Sequence, residues 1–271
     1  MGNRRNLRNL WLGSAIRVFR VPVFVALAVL LAGSGCPRPK QSPQPWLTRH
    51  AHWPDGEVSR YDVLRADTVV GQAIIRVRHD REQGQPAYAV ISVNSSVTPG
   101  RLEGQVSNLP LLLHDSIAAW LTADSLKPLR SFQIRNLLNR QDTVVSIYQA
   151  GKVTVTANGS FTGTLAAPEN TFDNSILVMA IRSLELAPGA HYALTSLAAF
   201  GPWTKPADVD VEGEELVTVP AGTFACYKLN LEIAGYALNL WYEKAEPRRY
   251  VRFENRSNNS VAVLTGYETD R

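Results

Sequence analysis

The sequence predicts a mainly β protein, built as a single curved antiparallel sheet (a half-barrel or open barrel) with one packed α-helix and an N-terminal signal helix. Three observations predict it. Short segments alternating apolar and polar residues recur from Glu57 to Tyr267, the mark of a sheet with one face on a core and one in water. Only residues 173–186 of the body place apolar side chains at helical spacing. The first 35 residues differ from the rest, with a basic start and an apolar run.

That leader holds Arg4, Arg5, Arg8, Arg17 and Arg20 and no acid. With it set aside, 23 of the 28 basic residues remain against 24 acidic ones, so the body is close to neutral. A nucleic-acid partner, which needs a basic surface on the folded part, is not expected. Val21 to Ala32 is apolar apart from Pro22, shorter than the run of about 20 residues that spans a bilayer as a helix. Small residues Gly33, Ser34 and Gly35 then precede Cys36, an ending similar to the lipobox of bacterial lipoproteins, in which the cysteine is acylated. Gly33 stands where the lipobox usually has Leu, so ordinary cleavage and an uncleaved anchor helix over 11–32 stay open. Arg4-Arg5 bears a faint likeness to a twin-arginine signal, but the apolar run starts too far away. With Cys36 acylated, Cys226 has no partner and no disulfide staples the fold; about 215 residues bury a sufficient core without one.

The expected organisation is a leader over 1–35, a proline-rich tether over 36–56 and a β-rich periplasmic domain over 57–271. In the body, 61–65 leads through Ala66-Asp67 to 68–78, where Ala73, Ile75 and Val77 share one face. Strands are expected over 87–97, 115–122, 131–138, 143–149 and 152–157, with turns at Gly84-Gln85-Pro86, Pro99-Gly100, Ala123-Asp124, Asn139-Arg140 and Ala150-Gly151. The segment 173–186 reads as the one helix, with Asp173 as its N-cap and Pro188-Gly189 as its stop. Then 215–219, 224–233, 236–243, 249–254 and 261–267 follow as strands, with turns at Pro220-Ala221-Gly222, Ala234-Gly235 and 257–260.

Three stretches also carry a family resemblance. They are Gly56-Glu57 with Tyr61-Asp62-Val63 and Val70-Gly71-Gln72-Ala73; Asp173-Asn174-Ser175 through Arg182-Ser183-Leu184 to Pro188-Gly189; and Val219 to Phe224 with Leu240-Trp241-Tyr242, Pro247-Arg248-Arg249 and Val251-Arg252. In this order, over roughly 57–268, the chain resembles the bacterial periplasmic family called domain of unknown function 3108. The resemblance implies a curved sheet like the half-barrels of outer-membrane lipoprotein carriers. It implies no reaction and no catalytic residues.

Enzyme chemistry finds little footing. Gly159-Ser160-Phe161-Thr162-Gly163 has its serine one place early for a nucleophile elbow, and no nucleotide loop or H-E-x-x-H occurs. No cofactor or metal is implied; His50-Ala51-His52 lies in the tether without carboxylates nearby. Cys226 has only Lys228 on its face to favour a thiolate, and an inert cysteine is the simpler reading. The leading function is a non-enzymatic cell-envelope lipoprotein whose sheet holds an acyl chain or other apolar ligand in its hollow. Ile176, Met179, Tyr227, Leu229, Leu238 and Leu240 are the candidate lining, and the same residues serve equally as core. Arg182, Trp241, Arg248 and Arg249 are candidate polar contacts, with a helix-to-sheet salt bridge the plainer role for Arg182. The alternative is an envelope scaffold that pairs with a protein through a strand edge. The expected partners are the membrane, through lipidated Cys36 or an N-terminal helix, and a lipid or envelope protein.

Overall fold

Among the described residues, fifteen strands join into one sheet in which the first and last strands of the sequence lie side by side at its centre. The computed structural model describes residues 52–102, 105–137, 140–198, 203–233 and 236–270. The leader, Cys36, His50 and the Ala234-Gly235 and Asn139 turns fall outside the described residues.

The first limb is a meander of β1 (Glu57–Arg65), β2 (Thr68–Glu82), β3 (Gln85–Leu102), β4 (Gln105–Thr122), β5 (Pro128–Leu137), β6 (Arg140–Gln149), β7 (Lys152–Ala157) and β8 (Ser160–Ala166). After β9 (Thr171–Asp173) and α1 (Asn174–Ile181), the second limb is β10 (His191–Ala198), β11 (Trp203–Val219), β12 (Gly222–Ile233), β13 (Tyr236–Glu243), β14 (Tyr250–Asn255) and β15 (Ser260–Glu268). Strand β15 pairs antiparallel with β1, setting Tyr61 opposite Leu264, so the ends of the body are central and β8 and β9 are the two edges. Positive φ angles at Ala66 and Asp67 make the reversal expected there, and those at Gln83 and Gly84 make the next one a residue earlier than the Gly84-Gln85-Pro86 turn expected, since Gln85 and Pro86 already pair in β3.

Residues 167–170 are all that separate β8 from β9, so the chain passes directly from one edge to the other. The edges do not pair. Instead β10 lies against the first limb, its Leu197 packed in a small apolar cluster with Val144, Tyr148, Val153 and Val155. The open sheet therefore rolls until its ends overlap in a seam.

Two local expectations are corrected. Pro99-Gly100 is no turn; β3 runs on to Leu102, and the proline marks a register shift in the pairing with β4. A proline that cannot donate to the ladder is tolerated at such a bulge. The helix is shorter than 173–186 and ends at Ile181, well before Pro188-Gly189. Past it the chain tightens into i to i−3 hydrogen bonds from Ser183 N to Ala180 O and from Leu184 N to Ile181 O. Both Arg182 and Ser183 are held in the interior by side-chain partners, which fixes the backbone where the helix would otherwise continue. Ile176, Leu177, Met179, Ala180 and Ile181 are all buried, as expected of a helix that is apolar all round.

Candidate functional site

The strand alternation that buries β1, β2 and β12–β15 leaves a hollow of about 460 Å³ on the inner side of the sheet, within the ~300–1,000 Å³ usual for ligand pockets. Its deep part is made by Tyr61, Ile75, Ile233, Leu238 and Tyr250, all buried. Val178 of α1 contributes one apolar wall, and Asn174 at the start of the helix is exposed into the same space. Gln72, Asn94 and Tyr236 stand exposed at its border. Among the described residues that line it, none is Asp, Glu, Lys, Arg or His.

The aromatic side of the hollow is fixed by its own contacts. Tyr61 donates from its hydroxyl to Tyr250 O at 2.9 Å, and the two rings lie 5.7 Å apart. Tyr250 stacks on Tyr242 at 5.3 Å, and Tyr242 donates to Val178 O at 2.5 Å, tying α1 to β13. Burial, the largest influence on each, pushes all three phenols upward, so they stay neutral. Gly71 sits beside this wall: a Cβ there would collide with the Ser95 carbonyl oxygen, which explains why β2 carries no side chain at that point.

Of the six candidate lining residues, only Leu238 borders the hollow. Ile176, Met179, Leu229 and Leu240 are core, and Tyr227 packs half-buried against it. The four candidate polar contacts are not brought together there either. Arg182 is 2% exposed and meets Glu57 with two hydrogen bonds, of 2.7 and 2.9 Å. Its guanidinium lies 4.7 Å from the Trp53 ring centroid, and Trp53 Nε1 donates to Ser183 Oγ at 3.0 Å. Trp53, in the stretch that reads as tether, is itself in the core at 2% exposure. Arg248 donates to Leu184 O at 2.5 Å. Arg249 bonds Glu243 and lies between Phe224 and Tyr267, at 4.8 and 5.0 Å from their rings. Trp241 donates to Glu215 at 2.5 Å. Arg182 and Arg248 bind the structure together beside the helix end, Arg249 does so at Glu243, and none of the three borders the hollow.

The family model described as "Protein of unknown function (DUF3108)" matches residues 57–264. The chain belongs to this family. Among solved structures, this DUF3108 domain is similar to a β-barrel-like protein of domain of unknown function DUF1849 from Brucella abortus. That likeness has 11% identity and a TM-score of 0.57, over 80% of this chain and 98% of the other, and it shows the fold alone. A Bacteroides fragilis protein described as having a YmcC-like fold gives 12% identity over 79% of this chain and 96% of its own, at a TM-score of 0.34 that carries no argument. No curated protein matches the chain. The family model and the Brucella abortus structure are both of domains of unknown function, and neither names a reaction.

The DUF3108 domain has a second polar locus, at the seam, that the alternation of the sequence conceals. Asp173 is buried and accepts a hydrogen bond from the Tyr148 hydroxyl at 2.8 Å. It occupies the N-cap position of α1 yet makes no side-chain cap hydrogen bond, a correction to the role expected of it. Burial pushes its carboxyl up to about 6, against smaller opposing influences from Tyr148 and Ser131. Cys226 is likewise buried, its thiol pushed up to about 12 by desolvation and then by the carboxylates of Glu243 and Glu215. Lys228 turns instead to Glu212, 3.0 Å away, and leaves the thiol inert.

Proposed function

We propose that this DUF3108 protein is a non-enzymatic, membrane-tethered envelope protein whose hollow holds an acyl chain attached to an uncharged head. The observation that carries this reading is the charge-free lining of the hollow. Its apolar depth suits hydrocarbon, while the amides of Gln72, Asn94, Asn174 and Asn255 and the hydroxyls of Ser96 and Ser260 suit hydroxyl or amide groups. A carboxylate or ammonium head drawn into this space would lose its hydration with no counter-charge to meet it.

Calorimetric titration with monolaurin, laurate and dodecyltrimethylammonium tests it. Monolaurin is expected to bind, and the two charged homologues to bind at least about tenfold more weakly, a difference of roughly 1.4 kcal/mol. Val178→Trp, which puts an indole into the hollow, removes the binding. Equal affinity for all three probes, or none for monolaurin, overturns the reading.

The tether is the lipidated Cys36, with the apolar leader as its alternative. Changing Cys36→Ser is expected to move the body from the membrane fraction to the soluble periplasmic fraction, because each buried methylene contributes roughly 0.8 kcal/mol to anchoring. Retention of the variant in the membrane would assign the anchor to the helix.

One observation favours a second reading. Strand β8 ends the sheet, its sequence SFTGTLA carries no charge or proline, and Phe161 on it is 69% exposed. Edges so unguarded accept a strand from another chain. That reading expects crosslinks to an envelope protein through β8 and no probe in the hollow.

A further inference from the structure

The overlap of the sheet ends is an unusual place for polar residues, because two packed sheet faces are ordinarily apolar and dry. Here Ser131 and Gln133 of β5 and Ser146 and Tyr148 of β6 are all buried, and they are met by Thr171 and Asp173 of β9. Ser131 and Ser146 are direct cross-strand partners, and Gln133 and Tyr148 lie two residues along on the same faces. Five atoms of this group have no hydrogen-bond partner among the described residues: Ser131 Oγ, Gln133 Nε2, Ser146 Oγ, Thr171 Oγ1 and Asp173 Oδ1. Such atoms are costly to bury, and a layer that contains them is weakly held compared with an apolar one.

Asp173 is the residue with two places to go. Turned into the seam, it accepts from Tyr148 and makes no cap bond to the amides of the first helical turn. Turned toward the helix, it would cap those amides, a position that favours a negative charge. No charged side chain among the described residues acts on it: Tyr148 faces it from β6, Ser131 from β5, and Leu197 stands opposite it in β10. A neutral carboxyl therefore suits the seam, and a carboxylate suits the helix end or water.

We infer that the seam is a proton-operated latch. With its proton, Asp173 holds β9 and the first turn of α1 against β5 and β6; when the proton leaves to bulk water, that contact loosens. The next residue, Asn174, lines the hollow, so opening the latch changes the entrance to it, a consequence that rests on the hollow being the binding site. Closure is favoured at low pH and weakens as pH rises toward neutrality.

Hydrogen exchange of the full chain, with no ligand added, tests the latch. For peptides covering 171–181, protection corrected for intrinsic exchange is expected to fall about tenfold between roughly pH 5 and pH 7.5. The β14–β15 hairpin serves as the reference and keeps its protection. In Asp173→Asn the fall disappears. Protection in 171–181 that does not change with pH, or that changes equally in Asp173→Asn, overturns the latch. Monolaurin titration at both pH values then separates the two ideas. PH-dependent exchange with pH-independent binding overturns the gating of the hollow. Absence of binding at either pH overturns the ligand reading and leaves the latch standing.

Discussion

Two buried carboxylates, Glu57 and Asp173, sit on neighbouring parts of one fold and are treated in opposite ways. Glu57 at the start of β1 meets the guanidinium of Arg182 through two hydrogen bonds, with side-chain exposures of 2% and 1%. Asp173 meets hydroxyls and no cation: it accepts from the Tyr148 phenol and faces Ser131. A buried charge is tolerable when it is paired and hydrogen-bonded; without that, the group takes up a proton instead. The same chemical group thus serves as a fixed bolt beside the end of α1 and as a responsive one at its start. The helix between them is short, and of its described side chains Ile176, Leu177, Met179, Ala180 and Ile181 are buried while Asn174 and Val178 border the hollow.

The bolt gives the largest expected effect. Arg182→Met removes the cation and leaves Glu57 buried without its counter-charge, and is expected to destabilise the body by about 3–5 kcal/mol. Urea denaturation followed by tryptophan fluorescence measures it. Adding Glu57→Leu to that variant is expected to restore most of the loss, since a pair replaced by apolar groups often costs little. Failure of the double variant to recover would mean that the pair specifies the position of the helix end, and that Trp53 and Ser183 depend on it. A loss below about 1 kcal/mol for Arg182→Met would place the pair in water and erase the contrast with Asp173.

The bolt and the seam were unequally legible. Strands with one wet face announce themselves: in β2, Ile75 and Val77 are buried while Arg78 is exposed, as the alternation predicts. The helix was legible from its apolar spacing, although its end was not. The sequence offers Arg182 a salt bridge from helix to sheet, but not the partner Glu57, 125 positions away, nor that the pair stops the helix. Strand β8 is exposed on most of its length and β9 has three residues, all buried, so neither shows alternation. In β5 the pattern is inverted. Ser131 and Gln133 are buried while Phe132 and Ile134 are half-exposed, because the inner face of β5 meets the polar end of β9 instead of an apolar core. The hollow was legible only as a class of place. Its lining comes from β1–β3 and β12–β15 together, a convergence that depends on β15 pairing back onto β1.

Asp173→Asn gives the smaller effect, and its sign distinguishes the two carboxylates. The folded value of Asp173 is raised to about 6, above its usual value, so the folded state binds the proton more tightly than the unfolded chain does. Its stabilising contribution is complete at a pH below the ordinary carboxylate range. It is lost as pH rises through the folded value, and stays lost above it. The wild type is therefore expected to lose on the order of 2–3 kcal/mol between about pH 4 and pH 7 from this one group. Asparagine keeps the shape and remains neutral, so the variant loses this slope and exceeds the wild type in stability near neutral pH. Near pH 4 it gains nothing, because its amide oxygen accepts the Tyr148 hydroxyl as the protonated carboxyl does. Glu57→Gln is expected to do the reverse, weakening the protein near neutral pH by removing the charge that Arg182 requires. Two urea midpoint profiles against pH, one for each variant, decide the matter. Profiles of the same slope in Asp173→Asn and wild type would mean that solvent reaches Asp173 freely, and the seam would then be an ordinary surface between two sheet ends.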